Sequence, residues 1–320
     1  MAKSSKVRVG IDLGGTKMYA VVLDEKGEAV GSARNPSLGH EGSRKGMERL
    51  VTTAQEALAS AKAEDSKLAG VGIGCPGVVD LDKGVLKTAP NLGWSDVPVR
   101  KVLSKALDCP VTVLNDVDAG TYGEFRSGAG EGTSSLLGVF PGTGLGGGFV
   151  YRGQILHGRQ YSCMELGDLR VGGSTLLRGG DEWPTLEDLT SRLAISSAIT
   201  VEAYRGKAAS MVGLPINMIK SKMILNSVAT DEEAVTQILD QAIHVLGSGL
   251  AGVVSLLGPD MIVLGGGLVE KFPERYTSAL KKRLKQLVTP ELTEDLRIRP
   301  AKLGDDAGAL GAAAYIEVEQ

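Results

Sequence analysis

The order of elements read along this chain predicts an α/β protein: two related domains, each on a β-β-β-α-β-α-β-α core, with a cleft between them. Three observations carry that reading. A glycine-threonine turn between strand-like runs occurs twice, as Asp-Leu-Gly-Gly-Thr-Lys at 12–17 and as Pro-Gly-Thr-Gly-Leu-Gly-Gly-Gly at 141–148. After each turn the same succession of strand and helix patterns follows. The 320 residues, 42% hydrophobic and 23% charged, suffice for two domains with ample cores.

In the first half, apolar β-rich runs predict strands at about 7–12, 17–24 and 28–34. A helix follows near Ser43 to Ala63, where Met47, Leu50, Val51, Ala54, Ala57 and Leu58 recur near helical spacing. Leu68 to Ile73 reads as a buried strand, Val97 to Leu107 as a helix stopped before Asp108-Cys109-Pro110, and Val111 to Leu114 as a strand ending in Asn115-Asp116. The order restarts at Ser134. Strands surround the second glycine turn, then come helices, a strand at Met261 to Leu264, a helix after Gly267, a strand at Leu296 to Ala301 and a final helix from Asp305.

Both glycine turns join strand to strand. Glycine lacks Cβ, so its main-chain N–H groups can approach an anion closely, and each turn adds a threonine hydroxyl as a further donor. Two such turns can grip one polyphosphate from both sides. Gly142, Gly144 and Gly147 also satisfy the G-x-G-x-x-G spacing of a dinucleotide-binding turn, but that fingerprint should open a helix, whereas Phe149 to Gly153 reads as a strand and turn.

With a formal net charge of −3 and interspersed signs, the chain has no electrostatic footprint for nucleic acid or a membrane surface. Its 44 glycines are about twice the usual share. They cluster at turns, including Gly172-Gly173, Gly179-Gly180 and Gly265 to Gly267. Cys75, Cys109 and Cys163 are too few and scattered for a disulfide framework and suit a reducing compartment. No apolar leader precedes the first strand, and the most apolar later stretch, Val245 to Leu257, is too short to cross a bilayer, so a cytoplasmic location is expected. His40, His157 and His244 lack metal-ligand spacing, and His244 reads as a core or interface residue. Lys281-Lys282-Arg283 reads as a solvated helix face, and Trp94 and Trp183 as packing residues.

Asp116 carries the candidate chemistry. At the end of a strand it could take the proton of a hydroxyl attacking a γ-phosphate, or it could serve as an Asx turn or as the N-cap of a helix beginning near Asp118; position alone leaves both readings open.

Collinear with these features are Gly-Ile-Gly-Cys-Pro-Gly (72–77), Pro-Asn-Leu-Gly-Trp (90–94), Leu-Asn-Asp (114–116), Glu-Leu-Gly (165–167), Val-Leu-Gly-Gly-Gly (263–267) and Ala-Gly-Ala-Leu-Gly-Ala (307–312). Together with both turns they make nearly the whole chain resemble the ROK family of sugar kinases and sugar-responsive repressors, within the actin-like ATPase superfamily. The resemblance implies two actin-like, ribonuclease H-like domains, a smaller one at 1–116 plus about 304–320 and a larger one at 117–303. It implies ATP and Mg2+ as cofactors and a small-molecule sugar as partner. Asp116 falls at the family's general base, acting on the sugar hydroxyl. Asn91, Asn115 and Glu165 match sugar-contacting positions, and Asp12 matches the acidic position near the magnesium–phosphate complex, reached through water. Gly14, Gly15, Thr16 and Lys17, with Gly142, Thr143 and Gly144, should surround the phosphates. Gly265, Gly266 and Gly267 should lie under the adenosine. A homodimer or homotetramer is also implied.

The chain departs from the family where a histidine and three cysteines usually bind structural zinc. Asp168 stands at the histidine position and 172–187 contains no cysteine, so no zinc site is expected. Thr185-Leu186-Glu187 still aligns, which keeps Glu187 as a sugar contact, with charged residues around Arg178 to Glu182 bracing the loop instead. Asp168 is either a substituted sugar ligand, the favoured reading, or a surface residue of a reshaped loop. The function expected is ATP-dependent phosphorylation of a hexose, glucose first, at a primary hydroxyl. The alternatives are a polyphosphate-dependent glucokinase and a noncatalytic sugar sensor; for the sensor, the chain leaves no room for a helix-turn-helix ahead of the first strand.

Overall fold

The computed structural model of the chain describes residues 6–62, 66–172 and 183–319. The first half runs β1 (Lys6–Leu13), β2 (Lys17–Leu23), β3 (Ala29–Pro36), α1 (Ser43–Ser60), β4 (Lys67–Cys75), β5 (Val78–Asp80), β6 (Val85–Ala89), β7 (Trp94–Val97), α2 (Val99–Leu107), β8 (Val111–Asn115) and α3 (Asp116–Ser127). Then come β9 (Ser135–Pro141), β10 (Leu145–Tyr151), β11 (Gln154–Ile155), α4 (Leu186–Thr190), α5 (Arg192–Tyr204), α6 (Ser221–Ala229) and α7 (Glu233–Leu257). The chain finishes with β12 (Met261–Leu264), α8 (Gly267–Lys271), α9 (Pro273–Leu287), α10 (Pro290–Thr293), β13 (Arg297–Pro300) and α11 (Ala307–Glu319).

Two five-stranded sheets share one plan, β3-β2-β1-β4-β8 and β11-β10-β9-β12-β13, which matches the duplicated core read from the sequence. The chain divides into two compact units, one of residues 1–136, 148–164 and 302–320, the other of 137–147 and 165–301. α3 lies in the first unit with α11, whereas bounds of 1–116 and 117–303 would separate them.

In the first unit, β1 pairs antiparallel with β2 and parallel with β4, and β4 runs parallel with β8. Alternation sends Met18, Ala20 and Val22 into a core shared with Met47, Leu50, Ala54 and Ala57 of α1. Tyr19, Val21 and Leu23 meet Ala309 and Ala313 of α11 on the opposite face. A sheet covered on both sides explains why its strands read as continuous apolar runs. Small residues let α11 sit close: a Cβ at Gly10 would run into Ala309 O and one at Gly72 into Ala312 O. The Ala-Gly-Ala-Leu-Gly-Ala motif is thus a packing surface. Trp94 packs under α1, its indole N–H donating to Gly39 O at 3.2 Å.

Several details differ from the sequence reading. The three-stranded sheet β5-β6-β7 escaped it, because strands of three to five residues are too short to establish a period. The third strand of the second sheet is only two residues long. The apolar run 245–257, read as too short to cross a bilayer, is the end of the 25-residue helix α7, which by length and composition alone could cross one. Half of its apolar window is buried within the molecule, however, and it packs on α4, α5 and α9. His244 is exposed on α7, which rules out the core reading. Trp183 is 61% exposed and therefore not a packing residue. The bracing role read for 178–182 lies outside the described residues.

Candidate active site

In the first unit the candidate groups collect at the carboxyl ends of three adjacent parallel strands, where loops of open α/β sheets bind ligands. Asp12 of β1 partners Gly74 of β4, and Cys75 of β4 partners Asn115 of β8. A Cβ on Gly74 would lie 3.2 Å from Asp116 Cα, so glycine lets the strand ends converge. The Cys75 thiol is driven far above its ordinary range by burial, and then by the charges of Asp116 and Asp12. Both carboxylates therefore lie within electrostatic reach of Cys75, at the end of β4.

Asn115, not Asp116, caps α3. Its Oδ1 accepts from the N–H groups of Val117 (2.8 Å) and Asp118 (3.3 Å), while its Nδ2 donates to Gly77 O (3.2 Å). Asp116 is the first helical residue, with one carboxylate oxygen accepting from Val117 N–H at 2.9 Å. The N-cap reading of Asp116 is thereby corrected.

The first glycine turn closes through Gly14 N–H donating to Lys17 O at 2.9 Å. Ser37 braces it from below, its hydroxyl donating to Gly14 O at 2.6 Å and its N–H to Thr16 O at 2.9 Å. A Cβ on Gly15 would lie 3.4 Å from Asn91 Cβ, which places the exposed Asn91 turn against this one. Lys17 is paired with Asp305, from the segment leading into α11. Burial raises the Asp12 carboxyl to about 6; the Lys17 charge lowers it and Asp305 adds to the rise.

The second unit holds the other candidates. Gly142 N–H donates to Gly144 O (2.9 Å), and Gly142 O accepts from Arg192 N–H (2.9 Å) at the start of α5. Glu187 lies in the first turn of α4, behind a capping box made by Thr185 and Asp188. Its Oε2 accepts from Leu145 N–H at 2.7 Å and fills the space where a Cβ on Gly144 would stand. Asp168 N–H donates to Glu165 O in a short 3₁₀ turn. The Glu165 carboxyl is raised by partial burial first and then by the charges of Asp168 and Glu187, so both lie within electrostatic reach of it. A cavity of about 1280 Å³, lined in part by Thr143, Glu187 and Ser191, runs along α5 and α7.

Gly265 and Gly266 have local reasons to be glycine. A Cβ at Gly265 would press on the Phe140 ring at 2.5 Å, and Gly266 has φ +91° over Pro141 O. Gly267 begins α8 beside Ser221, to whose Oγ a Cβ would come within 3.2 Å. Gly266 therefore borders the second glycine turn, and Gly265 the strand that leads into it. Among the described residues no group of three or more His, Cys, Asp or Glu could hold a metal ion. Sequence reasoning missed Asp305, 288 residues from Lys17, and Arg192, 49 residues from Thr143, because no local pattern links such partners.

Comparison with known proteins agrees with this architecture. The ROK family model matches residues 8–319. The glucokinase of Halalkalibacterium halodurans is 28% identical over 99% of this chain and 97% of its own. The crystal structure of a ROK hexokinase from Thermus thermophilus superposes with a TM-score of 0.82 at 31% identity, covering 98% of this chain and 99% of that one. A ROK family glucokinase from Streptomyces griseus, solved in complex with glucose and AMPPNP, gives a TM-score of 0.76 at 28% identity, covering 96% and 98%.

Proposed function

The chain belongs to the ROK family and has its two-domain actin-like ATPase fold, and from that premise we propose that it is an ATP- and magnesium-dependent sugar kinase acting on a primary hydroxyl of a hexose. The observation that supports this best is the placement of Asp12 and Asp116 at the ends of β1 and β8, on either side of β4 and beside the first glycine turn. Such an array suits a base and a metal–phosphate contact in one chemistry.

Asp116 is assigned as general base, taking the proton of the attacking hydroxyl, a role worth roughly 10²–10⁴ in rate. The acceptor contacts are Asn91, Asn115, Asp116, Glu165, Asp168 and Glu187. Of these, Asn115 spends its side chain on the α3 cap and Glu187 one oxygen on Leu145 N–H, so both also hold their neighbours in place. Gly14, Gly15, Thr16 and Lys17, with Gly142, Thr143 and Gly144, are assigned to the phosphates, and Gly265, Gly266 and Gly267 to the adenosine. A partly buried carboxylate at a strand end suits a hard cation that keeps most of its waters, which fits Asp12 to magnesium. When bound, magnesium-ATP supplies the phosphoryl group and offsets its charge. A cytoplasmic location and a homo-oligomeric state belong to the same proposal.

A coupled assay with magnesium-ATP against glucose, fructose, mannose, allose, N-acetylhexosamines and a no-sugar control tests the reading, with polyphosphate as a parallel donor. Sugar-dependent transfer from ATP supports it; transfer from polyphosphate alone replaces the donor, and silence with sugar binding intact points to a sensor. Asp116→Asn should lower kcat by about 10²–10⁴ with sugar affinity nearly unchanged. Near wild-type turnover would remove Asp116 from the role of base.

A further inference from the structure

Arg192 is a cation built into the second glycine turn that none of the roles above uses. Its main-chain N–H donates to Gly142 O at 2.9 Å, one guanidinium nitrogen donates to Thr143 Oγ1 at 3.3 Å and another to Ile219 O at 3.2 Å. Among the described residues it pairs with no carboxylate. Ile219 is itself fixed from behind, since Ser196 Oγ also donates to its carbonyl at 3.0 Å. Two residues on, Ser221 faces Gly267, and Gly266 lies over Pro141 O. The guanidinium therefore stands between the Gly142–Thr143–Gly144 turn and the segment that borders Gly267.

A guanidinium has five N–H donors in a planar fork matched to phosphate oxygens. Here neutral acceptors take two of them, which orients the group without cancelling its charge. The charged lysine of the other turn is differently placed, since Lys17 is paired with Asp305. We infer that Arg192 is a phosphate-binding residue of this enzyme, contacting the outer phosphoryl oxygens of the nucleotide from the Thr143 side. Phosphoryl transfer spreads negative charge over those oxygens, and a preoriented cation stabilises it without reorganisation. The inference rests on the second turn being a nucleotide site, as proposed above, but its test does not require turnover.

Binding is measured by calorimetry for ATP, inorganic tripolyphosphate and the preferred hexose, with wild type, Arg192→Met and Arg192→Lys. Arg192→Met should weaken ATP and tripolyphosphate by about ten- to a hundredfold, the range of one or two charge-assisted hydrogen bonds, while hexose affinity and the thermal midpoint stay close to wild type. Arg192→Lys should fall between, because it keeps the charge and loses the fork. In Arg192→Ala, added guanidinium should recover part of the phosphate affinity. Unchanged ATP and tripolyphosphate affinity in a folded Arg192→Met protein would overturn the assignment. So would a variant that loses hexose and phosphate affinity in parallel without guanidinium recovery, since that marks a loop brace. If the wild type binds ATP but transfers nothing to any sugar, the kinase reading fails while the Arg192 comparison is still decided by the ATP affinities.

Discussion

The two glycine-threonine turns have the same backbone plan and different electrostatic surroundings. The first is bracketed by carboxylates, with Asp12 near the end of the strand that enters it and Asp305 paired to its lysine. The second is bracketed by the Arg192 guanidinium and by Glu187, whose carboxylate is committed to Leu145 N–H. None of these flanking groups except Asp12 belongs to the repeated strand–turn–strand itself. Asp305 comes from the C-terminal segment, and Glu187 and Arg192 come from helices lying between β11 and β12. The repeat preserves a strand–turn–strand plan, and the charge that differentiates its two copies is delivered largely from elsewhere in the chain.

The largest difference should appear at Asp12. Because burial raises this carboxyl from 3.8 to about 6 in the folded chain, the folded state binds more protons than the unfolded state between about pH 4 and 6. Ionised Asp12 thus costs stability as pH rises through that window, by up to about 3 kcal/mol at pH 7 for a shift of about two units. Asp12→Asn should accordingly stabilise the free protein against urea at pH 7, with the gain fading toward pH 4, while magnesium-ATP binding is lost. An equal gain at both pH values would show that Asp12 is not the titrating group.

A mid-sized effect separates the glycines. Gly144→Ala drives a methyl into the Glu187 carboxylate, which Leu145 N–H holds in place, and should cost about 1–3 kcal/mol of stability, the usual range for overpacking. Gly15→Ala meets only Asn91, its Cβ at 3.4 Å and its O at 3.9 Å, and should cost less than about 1 kcal/mol. Denaturant unfolding of the two variants checks this; equal costs would mean that Glu187 moves aside freely.

The smallest effect concerns Asp305. Its pair with Lys17 is exposed, at 45% and 70% of the two side chains, so Asp305→Asn should change stability by less than about 1 kcal/mol. Releasing Lys17 should raise ATP affinity about two- to threefold at low salt and less at high salt. A fall in affinity would show that Asp305 itself assists the phosphates.

Most of the fold was legible wherever a sheet is covered on both faces, because β1, β2, β4 and β8 then become unbroken apolar runs bounded by turn residues. The short strands β5, β6 and β7 lacked the length to announce themselves. Asp116 was legible as a strand-end carboxylate, but whether it caps α3 was not. The cap is Asn115, whose amide closes on Val117, Asp118 and Gly77, the last of these 38 residues away.

By itself the sequence determined the duplicated α/β plan, the two glycine turns and the acidic strand ends, since each is written in local periodicity and in residues with special backbone freedom. Only the tertiary structure decided which charges attend those turns. Pairs such as Lys17 with Asp305 and Thr143 with Arg192 form when distant segments pack together, and electrostatic partnership depends on distance in space, which spacing along the chain does not encode.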